Sequence, residues 1–285
     1  MSLGYSVFAV DPKPIPSAVP GFDQTVGAAT WPPSTSTLIS DDEGALLVDC
    51  LITRQEGRQL AAWARSRTAE IAYVYITHPH ADHFYGLPEV LATFPRAKPV
   101  ALAESIPAME EQTSPGYLQV WNGFFPGQLT SEPAAPGPLE GTAIPFGGST
   151  ATVIPVGTTD TAHSSVVHVP GLGLVVSGDV VYNQTHMWLQ GSTPESRANW
   201  VKALDTVAAL EADTLIAGHR HPRAEDDDAR RQIRESRRYI ADFETALESS
   251  STPAELIDRM TKAYPDLANP YTLWVAAYDQ VGARN

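Results

Sequence analysis

The feature that most constrains the fold is a histidine-rich loop directly behind an apolar segment. Residues 71–76 are mostly apolar and predict a buried strand. The sequence Thr-His-Pro-His-Ala-Asp-His follows at 77–83. Open α/β sheets place their sites at the carboxyl ends of strands, where this loop would lie. We therefore expect a polar site at a strand end, the alternative being a surface turn that is merely rich in histidine.

The donor types in this loop suit a divalent transition metal. Neutral imidazole and carboxylate are ligands for zinc, manganese or iron. The candidate ligands outnumber what one tetrahedral ion takes from a single loop: His78, His80, Asp82 and His83. We therefore expect two metal positions, with further ligands from other strand ends.

The rest of the chain predicts two sheet-rich halves with outer helices. Thr53 and Glu56 form a capping box for a helix that reaches about Arg67, and a second group of strands is predicted between 143 and 177. Another capping box, Thr252 with Glu255, is predicted in a helical tail. The expected organisation is a sandwich domain over 1–224 and a helical extension over 225–285 packed on it, as a lid or dimer contact.

Composition narrows the class of function. The chain has 285 residues, 19 of them basic and 33 acidic, and its net charge of −14 disfavours nucleic acid and anionic membrane surfaces as partners. Its single cysteine, Cys50, excludes an intramolecular disulfide. Neither a secretion signal nor a long apolar span is indicated. We expect a cytoplasmic protein that acts on a small molecule, with a homodimer left open.

Other strand ends supply further candidate ligands. Asp179 follows the apolar run 174–178, and His219 follows 215–218; in both cases a glycine directly precedes the ligand. His163 lies in a loop between two predicted strands. Alone, Asp179 and His219 are equally compatible with a turn-capping aspartate and a surface histidine, but the repeated strand-Gly-ligand pattern favours metal binding.

These motifs resemble the metallo-β-lactamase-fold hydrolases. His78-x-His80-x-Asp82-His83 matches the signature of that superfamily, and Asp49, 177–179 and 218–219 occur in the expected order along the chain. The resemblance covers roughly residues 35–222. It implies an αββα sandwich of two mixed sheets in the α/β (α+β) class.

The resemblance also implies two zinc ions with one shared ligand, although iron or manganese stays open. The ligands of the first ion would be His78, His80 and a histidine after the strand at 151–156; those of the second would be Asp82, His83 and His219. Asp179 would bridge the two ions. Asp49 would lie behind the ligands and orient one of their imidazoles.

The sequence departs from the family pattern at the third histidine. Members commonly carry Gly-His directly after the strand, whereas here Gly157 is followed by Thr158. The nearest histidine is His163. We expect His163 to fold back as the ligand, with Asp160 as second choice; with neither, the centre would hold one ion or an uncommon one.

Such a centre predicts hydrolysis. Two divalent ions about 3.5–4 Å apart can hold a hydroxide at neutral pH, which would attack an electrophilic carbon. The candidate substrates are lactones, esters or thioesters, β-lactams and isothiocyanates. Asp82 would move the proton, and Tyr182 and His186 are further catalytic candidates. These two, with Trp188, Phe84 and Tyr85, could form an aromatic wall.

Three further interpretations stay open. Residues 180–183 and 269–274 resemble a branch of small-molecule hydrolases that includes bacterial isothiocyanate hydrolases. A mononuclear iron dioxygenase of the same fold that acts on a persulfide is an alternative. A weakened third histidine and loss of the second ligand set would favour it, whereas the retained Asp82, His83 and His219 argue for two ions and hydrolysis. A non-catalytic metal-binding module is the third.

Overall fold

Strands and helices alternate through most of the chain, and the tail is helical. The computed structural model describes residues 2–16, 22 and 28–282. In chain order its strands and helices are β1 (Gly4–Val10), β2 (Lys13–Pro14), β3 (Thr30–Trp31), β4 (Ser34–Ser40), β5 (Ala45–Val48), α1 (Arg54–Arg65), β6 (Tyr73–Ile76), α2 (Leu87–Thr93), β7 (Lys98–Ala101), α3 (Ile106–Gln112), α4 (Pro115–Phe124), β8 (Gly137–Pro138), β9 (Ala143–Phe146), β10 (Ser149–Gly157), β11 (Ser164–Val169), β12 (Leu174–Gly178), α5 (Pro194–Ala208), β13 (Thr214–Ala217), α6 (Ala229–Glu248), α7 (Pro253–Ala263) and α8 (Pro270–Gly282). Within the described part of the chain, no helix has the length and apolar character needed to cross a membrane.

Two mixed sheets form the centre of the molecule. One has six strands in the order β1-β4-β5-β6-β7-β8, antiparallel from β1 to β5 and parallel from β5 to β8. The other has five strands in the order β13-β12-β11-β10-β9, of which only the β12–β13 pair is parallel. The short strands β2 and β3 pair separately.

Both faces of the central strands are buried, which explains their nearly continuous apolar sequences. In β6, Val74 packs with the helices on the outside, whereas Tyr75 joins the core between the sheets. In β12, Val175 faces outer helices and Val176 faces the opposite sheet. This alternation follows the two-residue period of a strand. It produces the layers helix, sheet, sheet, helix, and the predicted αββα sandwich is confirmed.

Local capping signals define the helix starts. The capping box before α1 is confirmed, because Thr53 Oγ1 accepts from the Glu56 backbone N–H at 3.1 Å while Glu56 Oε2 accepts from the Thr53 N–H at 3.0 Å. The second box forms only in part. Thr252 Oγ1 accepts from the Glu255 N–H, but the Glu255 carboxylate accepts from Ser251, one residue before the cap. The predicted capping box is therefore wrong in one hydrogen bond, the one from the Thr252 backbone N–H to the Glu255 carboxylate.

The tail helices share a core with the second sheet. Phe243 of α6, Leu256 of α7 and Leu273 of α8 belong to the same buried cluster as Val175 and Leu215. The tail therefore completes the outer layer beside α5. A domain boundary at 224/225 and a function of the tail as a lid or dimer contact stay predictions.

Candidate metal centre

Polar side chains follow five strands and meet at one end of the sandwich. Asp49 follows β5, the loop 77–83 follows β6, and Asp160 lies in the turn after β10. Asp179 and His219 follow β12 and β13. Because β5 and β6 are parallel neighbours, and β12 and β13 are too, their carboxyl ends lie side by side in each sheet.

Hydrogen bonds join the two sheets beside this end. The Thr77 carbonyl accepts from both the backbone N–H and the hydroxyl of Ser165, at 3.2 and 2.8 Å. The Thr35 N–H donates to the Gly218 carbonyl at 2.9 Å. The first contact links β6 to β11 and the second links β4 to β13, so the loops from both sheets are held in one arrangement.

Two glycines permit the close approach of these loops. Gly178 has φ +51°, and a Cβ there would lie 2.4 Å from Thr77 Oγ1. A Cβ at Gly218 would lie 2.4 Å from Asp179 Oδ1. Neither space holds a larger residue without backbone movement, which gives the repeated strand-Gly-ligand pattern its physical reason.

Seven side chains form two adjoining groups of metal-ligand type. Within each group the candidate ligand atoms lie within 4.8 Å of one another: the first is His78, His80, Asp160 and Asp179, and the second is Asp82, His83 and His219. Asp179 lies between the groups. Its Oδ2 is 3.7 Å from His78 Nε2 and 3.1 Å from His219 Nε2, and its Oδ1 is 3.3 Å from His83 Nε2.

The centre contains buried polar atoms that need a partner. Those without a hydrogen bond to any residue that the structure describes are His78 Nε2, His83 Nε2, Asp160 Oδ2 and Asp179 Oδ1. Leaving such a buried atom unsatisfied costs about 1–3 kcal/mol. Divalent metal ions would satisfy all four, and imidazole nitrogen with carboxylate oxygen is the donor set that zinc, iron and manganese accept. The residues therefore fit a metal centre.

The structure places Asp160, and not His163, beside the first two histidines. Asp160 Oδ2 lies 3.0 Å from His80 Nδ1 and 3.6 Å from His78 Nε2, and its side chain is fully buried. His163 is exposed and belongs to neither group. The first choice for the missing ligand, His163, is corrected to the second choice.

The turn after β10 explains this correction. Thr159 Oγ1 and the Thr161 backbone N–H both donate to Asp160 Oδ1, at 2.7 and 3.0 Å, and so fix the carboxylate. His163 has a left-handed backbone, with φ 59°, directly before β11 begins at Ser164. The chain has already turned away from the centre when it reaches His163.

Asp49 lies behind the second group. Its Oδ2 is 2.9 Å from His83 Nδ1, and its Oδ1 accepts from the Thr77 backbone N–H at 2.9 Å. Because a carboxylate can only accept, Nδ1 of His83 carries the proton and Nε2 faces the centre. The contact fixes both the ring orientation and the tautomer of His83.

Two further supports of the second group come from the segment before β4, and no sequence signal identified them. The Trp31 indole N–H donates to Asp82 Oδ2 at 2.9 Å. His219 Nδ1 lies 2.9 Å from the Pro33 carbonyl, which directs Nε2 of that ring towards Asp179. A tryptophan and a backbone carbonyl far away in the sequence carry no pattern that would have found them.

An aromatic cluster surrounds Trp31. The rings with centroids 5.1–5.8 Å from that of Trp31 are Trp121, Phe124, Phe125 and Trp188. Trp188 was a predicted wall residue, but Phe84 and Tyr85 are completely buried in the core beneath. The aromatic surface next to Asp82 is thus built largely from residues outside the histidine loop.

Tyr182 and His186 have different surroundings. Tyr182 Oη donates to Asp179 Oδ2 at 3.2 Å, and burial together with the Asp179 charge raises the pKa of the phenol, which stays protonated. His186 belongs to neither ligand group, and its Nδ1 lies 2.9 Å from Tyr239 Oη on α6. The structure brings Tyr182, but not His186, together with the ligands.

Ionisable groups in the centre shift one another's pKa. Burial, followed by the neighbouring His83, lowers the pKa of His78 to about 4. Burial opposes charge on Asp179, but the imidazoles of His219 and His83 outweigh it and hold its pKa well below the usual range. Burial likewise opposes protonation of His83, but Asp179 and Asp49 raise its pKa. The carboxylate between the groups is therefore ionised, as a metal ligand must be.

Comparisons with solved structures agree with this architecture. A beta-lactamase domain protein from Burkholderia ambifaria superposes with a TM-score of 0.64 at 16% identity, covering 98% of this chain and 87% of that one. A metallo-beta-lactamase family protein from Thermus thermophilus gives 0.62 at 17% identity, covering 98% and 93%. At such identities these likenesses concern the fold alone.

Sequence comparisons identify the family. A hydroxyacylglutathione hydrolase from Synechococcus sp. (strain CC9605) is 41% identical over 54 residues, which span 19% of this chain and only 22% of that relative. The family model of the metallo-beta-lactamase superfamily matches residues 29–219, the segment that contains both ligand groups. The chain therefore belongs to the metallo-β-lactamase superfamily.

Proposed function

We propose that the protein is a metal-dependent hydrolase of small, largely apolar molecules that carry an electrophilic carbon. The observation that carries this proposal is the joining of two buried ligand groups through Asp179. Two divalent ions held there would supply Lewis acidity and lower the pKa of a bound water towards about 7. The hydrolase named in the Synechococcus relative belongs to a compatible reaction class.

Tyr182 and Asp179 act together in this proposal. The Tyr182 hydroxyl keeps its proton and donates it in a hydrogen bond to Asp179 Oδ2. This contact fixes the rotation of the carboxylate that both groups share. Tyr182 thereby orients Asp179 rather than acting as a base.

Asp82 is the group that we assign to proton transfer. Its Oδ2 accepts from Trp31 and lies 3.5 Å from His219 Nε2. The carboxylate would take a proton from the attacking water and return it to the leaving group. The hydrogen bond from Trp31 keeps the carboxylate from rotating during this transfer.

The aromatic cluster supports an apolar substrate. Trp188 and Phe124 are half-buried and pack against Trp31, whose indole N–H donates to Asp82. Aromatic surface binds apolar and aromatic groups and excludes water from them. Esters, thioesters, lactones, β-lactams and isothiocyanates with apolar substituents are all compatible with this arrangement.

A substrate panel on metal-loaded protein tests the proposal. Each of these classes would be assayed with an apolar and a charged substituent on protein loaded with zinc or manganese. We expect turnover of an apolar member, loss of turnover with chelator, and recovery when metal is restored. The His163→Ala variant is the control and should keep its activity. Full activity of metal-free protein would refute a metal-dependent hydrolase, and inactivity across the panel would favour a non-catalytic metal-binding module.

One observation favours a second candidate, an iron dioxygenase that acts on a persulfide. His78, His80 and Asp160 form a set of two imidazoles and one carboxylate, which is typical of non-haem iron(II) oxygenases. The second ligand group argues for two ions and hydrolysis. Oxygen uptake with a persulfide by anaerobically iron-loaded protein, without hydrolysis in the panel, would support the dioxygenase.

A further inference from the structure

The chemistry of Asp160 distinguishes this centre from one with three histidines in its first group. We infer that Asp160 makes the two ligand groups chemically equivalent and shifts the selectivity of the centre from zinc towards harder divalent ions, manganese(II) and iron(II). This inference rests on the proposal that the two groups bind metal. It does not depend on which substrate is hydrolysed.

Asp160 is held as a ligand with one free oxygen. Oδ1 accepts hydrogen bonds from Thr159 Oγ1 and the Thr161 N–H, so both local donors engage the same atom. Oδ2 is buried, points at the two histidines, and has no hydrogen bond within the described residues. The carboxylate is therefore preorganised to offer a single anionic oxygen to a metal ion.

The two groups then offer the same donors. Each has two imidazoles and one carboxylate of its own: His78, His80 and Asp160 in the first, and His83, His219 and Asp82 in the second. Asp179 adds one carboxylate shared by both. A histidine in place of Asp160 would make the first group richer in nitrogen and remove one negative charge from a fully buried position.

Hard and soft donor preferences connect this difference to metal choice. Carboxylate oxygen suits manganese, and the set of two histidines and one carboxylate suits iron(II) as well as catalytic zinc, whereas a site with three imidazoles is typical of zinc and not of manganese. Zinc still binds more tightly than manganese to most sites of this kind. The expected effect is therefore on the ratio of the two affinities, which Asp160 should bring closer together.

Competition between metals tests the inference without an activity assay. The full chain would be equilibrated with mixtures of Mn²⁺ and Zn²⁺ and its metal content measured, alongside the Asp160→His variant. We expect the ratio of Zn²⁺ affinity to Mn²⁺ affinity to rise at least about 10-fold in the variant. About 10-fold is the lower end of the effect that changes to residues behind metal ligands have on metal affinity. An unchanged ratio would overturn the inference.

Two further variants keep the result interpretable. Asp160→Asn retains the shape but removes the charge, so it should lose Mn²⁺ more than Zn²⁺ even if Asp160→His folds poorly. His163→Ala alters an exposed residue of the same loop and should leave the ratio unchanged. A shift in His163→Ala, or equal losses of both metals in Asp160→Asn, would contradict the role of Asp160.

The outcome is separable from that of the proposed function. Failure to hydrolyse any substrate with any metal would refute the hydrolase while leaving the affinity ratios intact. Unchanged ratios would refute the selectivity inference even in an active hydrolase.

Discussion

The two halves of the metal centre are supported over very different distances in the sequence. In the first, His78 Nδ1 lies 3.0 Å from Oγ1 of its neighbour Thr77, and Asp160 is held by the residues on either side of it. In the second, the supports are 34 residues away for His83, 51 for Asp82 and 186 for His219. The first half is held mainly by its own turns, with one link through the Thr77 hydroxyl to Asp49, whereas the second is held by contacts across the sandwich.

This difference shows where such a centre can change. A ligand held by its own turn can be exchanged without rebuilding distant contacts, whereas a ligand held across the fold needs its partner to change with it. The departure from the family pattern, Asp160, lies in the locally supported half. Among the candidate ligands that the structure describes, Asp179 lies beside residues of both halves.

Removing the shared ligand should break both halves and have the largest effect. In the Asp179→Asn variant a neutral amide replaces the carboxylate between the groups, so we expect both ions to bind more weakly. The loss of kcat/KM should exceed the roughly 100-fold that changes behind metal ligands produce. Metal analysis after dialysis would accompany the assay, and retention of one ion at native affinity would show that the halves are independent.

Asp49→Asn should damage the second half more than the first. The amide cannot accept from both His83 and Thr77 as the carboxylate does, and it removes the charge behind His83. We expect metal affinity in that half to fall about 10- to 100-fold. The first half should lose less, because its link to the changed residue runs through the Thr77 hydroxyl, which contacts His78 Nδ1 and donates to Asp49. Stepwise metal titration followed by calorimetry separates the two losses.

The matched change in the first half is Thr159→Ala. It removes one donor to Asp160 Oδ1, but the Thr161 N–H remains. We expect less than about a 10-fold loss, because local support is redundant there. Equal losses in Asp49→Asn and Thr159→Ala would contradict the contrast between the halves.

A pair of tryptophan variants isolates one hydrogen bond of the second half. Trp31→Phe keeps an aromatic ring but removes the N–H that holds Asp82, so we expect about a 10-fold loss in metal affinity. Trp121→Phe is the control. Its indole N–H, in the same aromatic cluster, donates to Gln112 Oε1 at 2.8 Å and touches no ligand. Comparable metal losses in both variants would assign the effect to packing instead.

The smallest effect on the centre is expected from His186, whose influence should be on stability. Burial lowers the pKa of His186 to about 3 from an ordinary 6.5, so below pH 6.5 the unfolded chain binds a proton that the folded chain does not. The stability due to neutral His186 is complete above pH 6.5 and is lost as the pH falls towards 3. At pH 5 this loss amounts to about 2 kcal/mol.

Urea unfolding of wild type and His186→Gln at pH 8 and pH 5 measures this contribution. Glutamine does not titrate, so the variant should lose about 2 kcal/mol less than wild type between the two pH values. Its metal content should equal that of wild type. A fall in metal content would place His186 in the centre after all.

Much of the fold and most of the centre were predictable from local patterns. Burial of both faces makes β6 and β12 apolar throughout. Candidate ligands come directly after these strands, in the loop 77–83 and at Asp179. The same strand-Gly-ligand order identified His219. Gly178 and Gly218 leave a trace in the sequence because each directly precedes a candidate ligand, although the atoms that exclude a Cβ there belong to loops far along the chain.

The remaining features depended on how the loops turn in space. The sequence offers both Asp160 and His163, and only the backbone of the 157–163 turn decides that the aspartate enters and the histidine stays outside. His186 looked like a neighbour of the ligands because it follows Asp179 closely, yet its ring contacts Tyr239 on α6. Distance along the chain does not fix side-chain direction.

The sequence by itself indicated most of the candidate ligands, because strand periodicity and the residues that end each strand are local properties. The resemblance to the family then divided them into two sets. Only the tertiary structure decided that Asp160, and not His163, lies beside His78 and His80, and that Trp31 and Pro33 stand behind the second group. Those supports are contacts between segments brought together by the packing of two sheets, and such packing leaves no short-range pattern in the chain.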